Sequence, residues 1–66
     1  MPRNTREWAK QELVRAIGNL EWVKGHLDPI GATYLEHHPE VSNKVLNIIE
    51  MTDILISCVD ELERSL

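Results

Sequence analysis

Apolar positions step through this chain at alternating intervals of three and four. One ladder is Ala9, Leu13, Ala16, Leu20, Val23 and Leu27. The other is Val41, Val45, Ile48, Thr52, Leu55, Val59, Leu62 and Leu66, with Thr52 the one polar rung. Such spacing keeps a single stripe of a helix facing a partner. It predicts an all-α fold with two long helices, about 5–27 and 39–65, folded back as an antiparallel helical hairpin across a connector at 28–38.

The ends of these helices carry their own signals. Asn4 followed by Glu7 reads as a cap with an acid in the first turn, and Thr5 is an equally good cap one residue later. Asp28-Pro29 reads as a boundary, because proline disfavours a helical conformation in the residue before it. Residues 29–35 then have room for a short turn or two, with Ile30, Tyr34 and Leu35 covering the bundle end. His38-Pro39-Glu40 repeats the start signal, with proline at the first helical position. Aligning the ladders sets Leu27 near Val41, Leu20 near Ile48, Ala16 near Thr52 and Ala9 near Val59. The small Ala16 opposite Thr52 would make a narrow waist.

Charge supports the antiparallel sense. Residues 1–28 hold Arg3, Arg6, Lys10, Arg15 and Lys24 against Glu7, Glu12, Glu21 and Asp28. Residues 29–66 hold Lys44 and Arg64 against Glu36, Glu40, Glu50, Asp53, Asp60, Glu61 and Glu63, so most of the net charge of −4 sits in the second half. Folding back brings Arg3, Arg6 and Lys10 beside Asp60, Glu61 and Glu63. Those acids occupy a helix C-terminus, where the macrodipole disfavours them. An acidic balance also argues against a nucleic-acid partner, since backbone affinity comes from clustered Lys and Arg.

More apolar surface is present than one hairpin can cover. The second helix also carries Leu46, Ile49, Met51, Ile54, Ile56 and Cys58, and these are the candidate oligomer interface. A helix apolar around most of its circumference is buried on more than one side. The simplest completion is a homodimer forming a four-helix bundle, with a trimer or ring left open. A chain of 66 residues needs such help: at this size folding buries only about 60% of the unfolded surface. The lone cysteine excludes an intrachain disulfide and reads as a small apolar residue in the buried part of the helix.

On the first helix Trp8, Arg15 and Trp22 recur every seven residues, along a ridge away from the seam. Trp and Arg are enriched in binding hot spots, so this ridge is a candidate partner-binding face, together with an acidic face at Asp53, Asp60 and Glu61.

Little catalytic chemistry is legible. Glu36-His37-His38-Pro39-Glu40, with His26, gathers possible metal ligands, but no two histidines share a helix face, and no metal or other cofactor is expected. Glu50-x-x-Asp53 resembles half of the magnesium pattern of the MazG-like all-helical nucleoside-triphosphate pyrophosphohydrolases. That resemblance covers four residues, and the Glu-Glu-x-x-Glu cluster of the family is missing from the first helix. Cys58 has no basic neighbour to activate it, Ser42, Ser57 and Ser65 have no evident base, and the glycines form no phosphate loop. The longest apolar run, Ile54 to Val59, is far short of the roughly 20 residues that span a bilayer, and the first residues lack a leader's apolar stretch. The expectation is a cytoplasmic, non-enzymatic interaction module acting as an inhibitor or adaptor. In size and acidity it is similar to small accessory proteins of bacteria and phages, anti-defence proteins included. One alternative is an oligomer that sequesters a nucleotide-like anion with Lys24, Tyr34, His37 and His38, aided by Arg15. Another is a purely structural oligomer subunit.

Overall fold

The computed structural model describes residues 5–66. Two helices account for nearly all of them: α1, Thr5–Tyr34, and α2, Pro39–Ser65. They pack antiparallel into a rod measuring 55 × 16 × 14 Å. Its radius of gyration, 15.8 Å, compares with about 11 Å for a compact domain of this length. Asn4 and Arg3, expected as cap and as partner to the acids of α2, lie outside the described residues.

The expected boundary at Asp28-Pro29 is not where α1 ends. The helix runs through Pro29 and stops at Tyr34, so the connector shrinks from 28–38 to four residues, 35–38. Proline removes the N–H that would reach back to Gly25, and its ring crowds that same carbonyl. The reason for continuing lies across the hairpin. Gly31 comes so close to α2 that a Cβ there would sit 3.2 Å from Val45 Cγ1 and 3.8 Å from Ser42 Oγ. Stopping at Asp28 would forfeit that packing, and Val45 is one of only two buried residues among those described. Tertiary contact has outweighed local propensity here.

His38 occupies the cap position of α2 as expected, but its side chain makes no capping bond. Its carbonyl instead accepts from the N–H groups of Val41 and Ser42, at 3.0 and 3.3 Å, and its own N–H donates to Tyr34 O at 2.9 Å. One residue therefore closes α1 and opens α2.

The register also differs from the expected one. Gly31 against Val45, Lys24 bonded to Asp53 and Lys10 near Glu63 slide α2 along α1 by about eight residues. Leu27 then lies level with Ile49, not Val41, and Leu20 with Ile56, not Ile48. Gly31 is a point of close approach to α2, whereas Ala16 is no longer level with Thr52. Among the described residues the charge argument keeps one pair, Lys10 Nζ to Glu63 Oε2 at 3.7 Å. Asp60 instead takes Arg64 on its own helix at 3.0 Å.

The seam is rotated by one position on each helix. In α1 it is Lys10, Leu13, Ile17, Leu20, Lys24, Leu27 and Gly31; in α2 it is Ser42, Val45, Ile49, Thr52, Ile56, Val59, Glu63 and Leu66, all buried or half-buried. Every second rung of each expected ladder leaves the seam: Ala9, Ala16 and Val41 stay half-buried at its edge, while Val23, Ile48, Leu55 and Leu62 are exposed. In heptad terms, over the length of this seam, g is apolar in both helices, d is apolar apart from Thr52, and a mixes apolar residues (Ile17, Ile49, Ile56) with polar ones (Lys10, Lys24, Ser42, Glu63). The seam uses a and d, where d and g had been expected. Lysine stems at position a lie along the seam with their ammonium groups reaching its edge. Thr52, the one buried polar residue among those described, donates its hydroxyl to Ile48 O at 2.8 Å, so it brings no unsatisfied group into the seam.

Candidate interaction surfaces

With the seam placed, the outward positions sort into faces. In an antiparallel pair the two e positions flank one side of the seam and the two g positions flank the other. The e side is identified by its contacts. Asp28 and Leu35 of α1 line one groove with Leu46 of α2, and Lys24 reaches Glu21 and Asp53 together. This side is acidic, with Glu7, Glu21, Asp28, Asp53 and Asp60. Lys24 Nζ bonds Asp53 Oδ1 at 2.6 Å and lies 3.4 Å from Glu21 Oε2. The hydrogen bond to Asp53, reinforced by the charges of Asp53 and Glu21, holds the ammonium above the ordinary lysine pKa against the pull of desolvation.

On the g side the stripes themselves carry no charge, with Glu12 and Lys44 at their outer border. Ala16, Val23 and Ile30 of α1 run beside Ile48, Leu55 and Leu62 of α2, and all of these except the half-buried Ala16 are exposed. Met51 and Cys58 continue it along the shoulder of α2, both exposed. Cys58 was expected in a buried position; it stands on this open shoulder instead. Residue reasoning missed this face because periodicity had assigned its members to the seam.

The tryptophan ridge is where the spacing placed it. Trp22 sits two residues from both Leu20 and Lys24, about 200° around the helix from each, so it points directly away from α2. Trp8 and Trp22 are 58% and 62% exposed. Trp22 stacks on His26 with ring centroids 4.9 Å apart and planes 27° off parallel. Arg15, between the tryptophans, pairs with Glu12 at 2.8 Å. Every residue of the ridge lies on one helix, so α2 neither covers nor contributes to it.

The expected oligomer residues divide among several surfaces. Ile49 and Ile56 are half-buried in the seam against α1. Leu46 belongs to the acidic side, lining its groove. Met51 and Cys58 border the uncharged face, and Ile54 points outward, away from the seam.

The residues grouped as an anion site are not brought together. The rings of Tyr34 and His38 meet at 5.8 Å, but Lys24 is ten residues up α1, roughly 15 Å away, and held by two carboxylates. His38 Nδ1 lies 3.5 Å from Glu40 Oε1, and His37 is exposed in the connector. Among the described residues no three His, Cys, Asp or Glu side chains converge as a metal site. Asp53, half of the acidic pair resembling the magnesium pattern, accepts from Lys24. The acidic partner-binding candidates are likewise engaged, Asp53 with Lys24 and Asp60 with Arg64, while Glu61 is exposed beyond them. Among the described residues no helix is long and apolar enough to cross a membrane.

No protein-family model matches this chain, and neither a curated protein nor a solved structure matches it.

Proposed function

We propose that this chain is a non-enzymatic protein-interaction module that works as a homodimeric four-helix bundle and acts as an inhibitor or adaptor of another protein. The observation that carries this reading is the Trp8–Arg15–Trp22 ridge. Both tryptophans of the chain stand on the outer side of α1, where they contribute nothing to the hairpin's own packing. Large aromatic surface exposed beside an arginine is the composition of a binding hot spot. The acidic side, ending at Glu61, supplies a second surface complementary to a basic partner and would steer its approach. An anti-defence role in a phage or bacterium suits such a module. The partner is a protein, not a nucleic acid or a membrane, because the exposed charge is mainly carboxylate.

The test compares the wild type with Trp22→Ala and Trp8→Ala in binding a partner captured from the native source. Truncation of a hot-spot tryptophan should weaken binding at least thirtyfold, about 2 kcal/mol or more, with helicity by circular dichroism unchanged. Undiminished binding by both variants would remove the ridge from the mechanism. Thermal melting with nucleoside triphosphates should show no shift; a rise that grows with nucleotide concentration would favour a sequestering protein instead.

A further inference from the structure

We infer that the uncharged side of the hairpin is the seat of a second copy of this chain, related by a two-fold axis lying in the plane of that face. The inference rests on the self-association proposed above and adds which surface mates and which stay free.

Three observations choose the occupant. The first is stripe width. A helix that pairs with one partner needs two apolar positions per heptad, whereas a helix with two neighbours in a bundle uses three, a and d with e or g. In both helices g is apolar throughout and d nearly so, while a mixes Ile17, Ile49 and Ile56 with Lys10, Lys24, Ser42 and Glu63. The g stripe is the apolar one left outside the seam in each, so the two fall side by side on one face. The second is area. The chain exposes 5297 Å², whereas a folded monomer of 7.6 kDa exposes about 4,300 Å². That surplus of about 1,000 Å² goes with the elongated shape, and it leaves room for the roughly 800 Å² each partner contributes to a stable interface. Covering one broad side of a 55 Å rod would remove an area of that order.

The third is charge. A two-fold interface sets each surface against itself. Mating the acidic sides would bring Glu7, Glu21, Asp28, Asp53 and Asp60 of each copy together, relieved in part on each by Lys24 and Arg64. Mating the g sides brings together Ala16, Val23, Ile30, Ile48, Leu55 and Leu62, with no charge to desolvate. The repulsive side is thereby kept outward, which selects one of the two broad faces.

The arrangement leaves the tryptophan ridge uncovered. Trp22 and Val23 are consecutive, so the ridge points about 100° away from the mating face. Each dimer therefore presents two ridges and two acidic sides.

Light scattering and concentration-dependent melting of wild type, Leu55→Gln and Leu46→Gln test this. Both leucines are about half exposed in the hairpin, one on each broad side, so they serve as matched probes. Wild type should have the mass of a dimer, with a melting temperature that rises with protein concentration. Leu55→Gln acts twice per dimer and should raise the dissociation constant at least tenfold. Leu46→Gln should change it less than twofold. If Leu55→Gln unfolds when diluted, its folding should return with concentration, reporting the same weakened association. A helical wild-type monomer at several hundred micromolar would overturn both the face and the self-association. A wild-type dimer disrupted by Leu46→Gln but not by Leu55→Gln would overturn the face alone. A trimer or larger ring would overturn the two-fold arrangement.

Discussion

Lys24, Pro29 and Gly31 are the residues at which the chain departs from what its pattern suggests, and each has a measurable consequence. Lys24 joins α1 to α2 through Asp53, and its pKa is raised in the folded state. A raised amine pKa contributes stability that is fully present below the unfolded value and disappears as pH climbs through the folded one. The denaturation midpoint of wild type should therefore fall more steeply than that of Lys24→Met as pH rises above about 10.4, and the two should run parallel through neutral pH. Pro29 lacks a helical N–H, so Pro29→Ala should stabilise the hairpin by about 1–3 kcal/mol in equilibrium unfolding. Gly31 is fixed by proximity rather than by backbone angle. Gly18→Ala, which meets open space, should gain about 0.5–1 kcal/mol, and Gly31→Ala should gain less because Val45 must give way.

At the scale of the element, helix type and the start of α2 were legible; the seam and the end of α1 were not. A three-four rhythm fixes the helical period however the helices face one another. It does not choose between two adjacent pairs of stripes when d and g are apolar and a is apolar in part. Leu13, Leu20, Leu27, Val45, Val59 and Leu66, with Thr52 among them, belong to the stripe shared by both choices, so their inward placement was readable. Val23 and Ile48 belong to only one. Choosing the pair without lysine assumed that charge is kept out of a seam, whereas a lysine stem packs while its head reaches carboxylates at the edge. The end of α1 was missed for a related reason: the proline signal is local, and what overrides it is Val45, sixteen residues beyond Pro29. The start of α2 was read correctly from Pro39, although His38 caps without its side chain. His38→Asp should add the missing side-chain acceptor and raise stability by about 0.5–1 kcal/mol, read from the urea midpoint.

For the whole molecule, the tryptophan ridge was visible in the spacing because it depends on one helix alone. The uncharged face was not, because it exists only once both helices are docked in the correct rotation. Among the described residues only Val45 and Thr52 are buried. Hydrogen exchange should accordingly be slowest for the amides around 45–52 and fast toward the end of the rod remote from the connector. The four-residue connector has a further consequence for how the molecule bears load. Thr5 and Leu66 lie together at the end of the rod remote from the connector, so tension applied between them acts across the seam, not along it. Pulled there, the two helices should peel apart progressively toward Gly31 and Val45, one heptad at a time. An optical trap should record a low, sloping force plateau where a sheared bundle would give a single sharp rupture, and the last contacts to open should be those nearest the connector.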